Sequence, residues 1–230
     1  MIKTLTYNGI NSQQFGIYLR GEGTYNSSQR DIEYIDIPGR NGTLIIDKGR
    51  YSNVNVSYPC FIKDNFENNS ALVRQWLLAD TNYHRLEDDF HDNEFRLAVV
   101  DGTIDFNVFH NEVGNFLINF SCKPQRFLKS GETVQEVISG QVLTNPTNMV
   151  AKPLIIVEGS GELTIGNISV ITTSPNTIID SETMNCYWND TNLNNATQVG
   201  EFPILDQGDT EITIGNGITS VSIQPRWWRL

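Results

Sequence analysis

A chain of 230 residues and 26.0 kDa is long enough for one large domain, or for two of about 100 residues that each bury a core. Hydrophobic residues make up 39% and charged residues 19%, the balance of a soluble globular protein, and no run approaches the ~18 apolar residues that a membrane span needs. A net charge of -11, from 16 Lys and Arg against 27 Asp and Glu, disfavours a protein that grips nucleic acid by neutralising phosphates.

The opening MIKTLTYNGINSQQFGIYL has one lysine, no continuous apolar stretch and no small-residue cleavage site, which predicts no secretory signal and folding in the cytoplasm. EYIDI and TLIID flank PGRNG, whose Gly39, Asn41 and Gly42 suit the positive φ of a hairpin turn, so Arg40 is expected at a hairpin tip. A second basic-glycine pair, Gly49-Arg50, is expected to present Arg50 on a turn in the same way. Val54, Val56, Tyr58, Cys60 and Ile62 then take every second position, the period of a half-buried strand.

NNSALVRQWLLAD predicts one helix near 69–80, with Asn69 or Ser70 as N-cap and Leu72, Val73, Trp76 and Leu77 on one apolar face that packs on a sheet. FRLAVVDG, IDFNVF and FLINFSC read as further strands. Polar, turn-rich sequence from Gly131 to Pro146 places a domain boundary near Gly140, giving a β-rich domain over 1–140 and a second domain over 141–230. In that second part PLIIVEG, ELTIG, ISVIT, NTIIDS, MNCYW, EFPIL, TEITIG and TSVSIQP recur at the spacing of a β-sandwich. Basic residues concentrate in the first part, 13 against 3.

Cys60, Cys122 and Cys186 are odd in number and widely spaced, which predicts reduced thiols and neither a zinc site nor a disulfide framework. HRLEDDFHDNE, from His84 to Glu94, has the composition of a metal site, but a seven-residue histidine spacing fits no ligand motif and a solvated acidic loop explains it. Carboxylate pairs such as Asp36 with Asp47, or Asp180 with Glu182, are what any acidic chain supplies, and no nucleophile elbow, P-loop or dinucleotide fingerprint appears. The residues therefore predict no catalytic, cofactor or metal site, and no enzyme. Trp188, Trp227 and Trp228 have the chemistry of a sugar platform, although neighbours on a strand face opposite sides and one of the last two is expected in the core.

LTYNGINSQQFGIYL, IPGRNGTLIIDKGRYSNVNVSY, FSCKPQRF, NPTNMVAKPLIIVEGSGELTI, IIDSETMNCYW, GEFPIL and SIQPRWWRL, in this order, resemble the distal tail (Dit) proteins of long-tailed, non-contractile bacteriophages. The resemblance implies a mainly β chain: a ring-forming N-terminal domain with one helix, and a C-terminal galectin-like β-sandwich. It implies a structural virion protein, a homo-hexameric hub at the distal end of the tail, assembled in the host cytoplasm. Its implied partners are the tail tube protein, the tape-measure protein, and the tip, baseplate and receptor-binding proteins, with DNA passing through the ring and no specific nucleic-acid binding. A ring needs two different patches per subunit, so Arg40 and Arg50 are its expected interface residues, each pairing with a neighbour's carboxylate. The alternative is a carbohydrate-binding accessory module for cell-wall glycans, although the sugar-binding sequence patterns of true galectins are missing from 141–230.

Overall fold

The computed structural model describes residues 2–23, 25–109 and 113–230. Its contacts divide the chain into two units, residues 1–126 with Leu230, and residues 127–229.

In the first unit the described strands are β1 (Leu5–Tyr7), β2 (Ile10–Asn11), β3 (Ile17–Leu19), β4 (Arg30–Asp36), β5 (Thr43–Tyr51), β6 (Val54–Ile62), β7 (His84–Asp88), β8 (Glu94–Val100), β9 (Phe106–Phe109) and β10 (Val113–Cys122). Seven of them form an antiparallel sheet in the order β2-β1-β7-β8-β10-β6-β3, with β9 also paired to β10. An isolated bridge between Lys3 and Leu19 ties the β1 side back to β3, so the sheet curls towards a barrel. Strand alternation selects the core: Val54, Val56, Tyr58, Cys60 and Ile62 are buried, and opposite them on β10 so are Phe116, Ile118, Phe120 and Cys122. β4 and β5 stand apart as a two-stranded hairpin.

One helix, α1 (Phe66–Leu77), covers this core with Val73, Trp76 and Leu77 buried. It begins before the expected 69–80, because Phe66 anchors the first turn against Phe106, ring centroids 5.6 Å apart, and against the β10 backbone at Gly114. The two expected caps bond backwards instead, Asn69 Nδ2 to the Asp64 carbonyl and Ser70 Oγ to the Glu67 carbonyl. Leu72, placed on the apolar face by its spacing, is exposed.

The second unit holds β11 (Arg126–Leu128), of which Arg126 belongs to the first, then β12 (Gln135–Val137), β13 (Gln141–Asn145), β14 (Leu154–Gly159), β15 (Gly161–Ile165), β16 (Ile168–Thr172), β17 (Asn176–Asp180), β18 (Asn185–Trp188), β19 (Thr191–Asn192), β20 (Thr197–Val199), β21 (Gly208–Ile214), β22 (Ile218–Gln224) and β23 (Trp228–Arg229). Two antiparallel sheets, β12-β22-β14-β17-β18-β19 and β13-β21-β15-β16-β20, enclose a core of Ile155, Val157, Ile179, Val221 and Ile223 from the first, and Leu143, Leu163, Ile165, Val170 and Ile212 from the second. EFPIL forms no strand: Pro203 interrupts the ladder, and Leu205 makes only a bridge to Ala151.

Gly140 falls inside this unit and not at its edge, because the segment before it is stitched to the chain's last strands. β12 pairs with β22, and Leu128 N–H and Arg226 N–H donate to the carbonyls of Trp227 and Gly131. Gly131 admits no side chain there, since a Cβ would sit 2.2 Å from the Trp227 nitrogen. Trp227 is buried, and the half-buried Trp228 donates its indole N–H to the Val150 carbonyl at 2.9 Å.

Candidate assembly surface

The β4-β5 hairpin is an arm whose side chains are mostly exposed from Asp36 at one strand end to Thr43 at the other and back towards its base. Its turn follows from Gly39 (φ 79°) and Gly42 (φ 81°), conformations cheap only for glycine, while Asn41 keeps a negative φ despite the expectation. Arg40 sits on that tip, its backbone N–H bonded to the Ile37 carbonyl, and its side chain makes no ion pair among the described residues.

The register divides the arm into two zones. Directly opposed residues share a face, so Tyr34 pairs with Ile45 on one side, and Ile35 with Leu44 on the other. Tyr34 is 60% and Ile45 58% exposed, and Ile35, Ile37, Leu44 and Ile46 are exposed as well. Nearer the base the pairs are ionic: Arg30 Nε donates to Asp47 Oδ2 at 2.7 Å, Arg50 Nε to Asp31 Oδ2 at 2.7 Å, and Lys48 Nζ lies 3.6 Å from Glu33. The bond from Arg30, helped by the Gly49 N–H, holds the Asp47 carboxyl below its ordinary range, and Asp47 in turn raises Arg30.

Gly49 and Arg50 therefore lie on a strand and not on a turn: the register shifts between Arg30 and Ile32, Gly49 takes a φ of 71° in the resulting bulge, and Arg50 is paired within its own chain. The two expected interface arginines are separated along the arm, one at its tip and one in the ionic ladder at its base. Sequence reasoning passed over the apolar zone between them, whose signal was the run TLIID opposite EYIDI with no third strand to cover it.

A two-stranded hairpin has two free edges and is marginal alone in water, and an exposed apolar zone on both faces is a docking feature. His84 to Glu94 offers nothing comparable. It is not a solvated loop, because its first five residues form β7 with Leu86 in the core. His84 Nε2 lies 2.7 Å from Asp80, and His91 Nδ1 2.9 Å from Asp88, whose other oxygen accepts from Tyr58 OH at 2.6 Å.

Comparison with known proteins places this geometry. The crystal structure of the SPP1 Dit (gp 19.1) protein, described as a paradigm of the hub adsorption apparatus in phages infecting Gram-positive bacteria, superposes with a TM-score of 0.75 at 12% identity over 100% of both chains. At that identity the likeness is one of fold. No curated protein matches the sequence. The model of the phage tail protein RIFT-related domain matches residues 3–122, the curled sheet together with its helix and arm, and the chain belongs to that family of phage tail proteins.

Proposed function

We propose that the chain assembles through its arm into a homo-hexameric ring and serves as the hub at the distal end of the tail. There it joins the tail tube, and the tape-measure protein within it, to the tip or baseplate and its receptor-binding proteins. The observation that carries this is the arm. Six exposed apolar residues on two faces, with base charges already neutralised within the chain, fit insertion into another protein surface and not attraction to a highly charged one. A second copy is the occupant that a closed ring supplies, since each subunit then offers an arm on one side and a receiving surface on the other. Arg40, unpaired at the tip, is the charge available for a neighbour's carboxylate.

In this reading the first unit is the ring-forming part and the sandwich an appended module, assembled in the host cytoplasm and resident in the virion. The role is structural. Trp227 and Trp228 are engaged within the sandwich by burial and by the Val150 carbonyl, which supports a structural over a glycan-binding use of them. Mass in solution tests the proposal. The full chain should give a closed species near six subunits, and a variant in which a short Gly-Ser turn replaces residues 31–50 should be monomeric. A full chain that stays monomeric at tens of micromolar, or an armless chain that still closes, overturns it.

A further inference from the structure

We propose that the direction of the arm is set by a releasable strap, residues 20–23 and 25–29, and that its attachments govern assembly; this rests on the ring reading above. Among the described residues the arm's strands pair only with each other. Its direction is therefore fixed at its two roots, which the Ser52 N–H to Gln29 carbonyl bond holds together. On the β6 side the root is firm: Asn53 Nδ2 donates to Tyr83 OH at 2.6 Å and to Ser121 Oγ at 3.0 Å.

The other root is the strap, held by polar and ring contacts. It leaves β3 where Arg20 N–H meets the Pro59 carbonyl, and at Gly23 it passes so close to Phe90 that a Cβ would fall 2.6 Å from the Phe90 Cβ. Tyr25 is 79% exposed, yet its ring stands edge-on to His91 at 5.0 Å, with the Arg126 guanidinium 5.8 Å from its centroid. Asn26 Nδ2 donates to the Asn55 carbonyl at 2.7 Å, and the Asn26 carbonyl accepts from Arg96 Nη2 at 3.4 Å.

Arg96 is the informative residue. It is buried on β8, its bond to the strap is long, and among the described residues its Nη1 has no partner, nor has His91 Nε2 beside it. Asp88 and Glu94 line the same small pocket, but among the described residues the Arg96 guanidinium makes no ion pair, and its one side-chain hydrogen bond goes to the strap; a buried charge held so loosely is costly to the fold. Because Tyr25 stays mostly in water, little apolar burial resists release, and the arm can swing while the sheet beneath remains intact.

Tyr25→Ala separates the strap from the fold, since an exposed ring contributes little to core stability. Tryptic cleavage at Arg30, which reports strap release whatever the oligomer, should quicken about tenfold, and the subunit concentration for half-assembly should rise about tenfold. Melting should not move, Tyr25→Phe should restore both readouts, and Arg96→Met should reproduce the loss. Unchanged cleavage in Tyr25→Ala and Arg96→Met overturns the strap. Faster cleavage with unchanged assembly, while the armless variant falls apart, also overturns the proposal but leaves the ring standing. An armless variant that still assembles removes the ring reading instead.

Discussion

Replacing Trp76 by alanine tests whether α1 is a structural cover for the curled sheet. The indole is 8% exposed, packs against Phe15 at 5.0 Å and Tyr7 at 6.3 Å between centroids, and donates Nε1–H to the Tyr7 carbonyl at 3.2 Å. Lost burial and the cavity cost about 3–5 kcal/mol, and the lost hydrogen bond to the Tyr7 carbonyl adds about 1 kcal/mol. For a unit of this size each kcal/mol moves the melting point by roughly 3–5 °C, so a total of about 5 kcal/mol lowers it by roughly 15–25 °C. Calorimetry resolves the loss as a shift of the first unit's transition, with the sandwich transition in place. Trp76→Phe, which keeps most of the ring, should recover more than half of the shift. If Trp76→Ala melted like the parent while assembly was abolished, the side chain would be an interface residue and the core assignment wrong.

Cys60 and Cys122 should be silent to a thiol reagent at pH 8 in the folded protein and react on denaturation, because burial raises both thiols, Cys122 to about 11. Rapid native labelling at either position would refute the burial. Burial pulls the Asp180 carboxyl up, but the paired Arg226 guanidinium outweighs it and the net shift is down. Its contribution is therefore complete above the unfolded carboxylate value of about 3.9 and is lost as pH falls through the lower folded value. Arg226→Ala should cost the sandwich about 2–3 kcal/mol at pH 7, with the difference from the parent shrinking in acid; a constant difference down to pH 2 would contradict the pairing. Arg40→Glu should raise the concentration needed for assembly by about tenfold or more, whereas Arg50→Glu should first loosen the arm's own ladder, visible as faster proteolysis there. An unchanged oligomer in Arg40→Glu would leave that arginine solvated at the tip, with Arg50 still paired to Asp31.

What was legible in the sequence followed from short-range periodicity. Val54 to Ile62 alternates cleanly because one face of β6 is core, and PGRNG declares its turn because Gly39 and Gly42 need positive φ. Three features lay beyond that range. The helix start was set by Phe66 meeting Gly114 and Phe106, residues about 40 or more positions away. The end of the first unit was set by residues 128–137 pairing with strands some 90 positions later. Arg50 read as a turn residue because a glycine bulge within a strand and a glycine turn share the same dipeptide. The strap was illegible for a further reason: Tyr25, His91, Arg96 and Arg126 meet only through the fold, and singly each is an ordinary residue.

The pairing of the second unit's opening residues with its last strands also dictates an order of events during synthesis. Apart from Leu230, every contact that builds the first unit is available once residue 126 has cleared the ribosome, whereas β12 waits for β22, and Gly131 for Trp227. The arm-bearing sheet can thus fold while the sandwich is still an open chain, and the sandwich can close only after β22 and Trp227 have emerged. A nascent chain stalled near residue 215 should display a folded first unit beside an unclosed second, so premature termination yields a half-built subunit that already carries its arm.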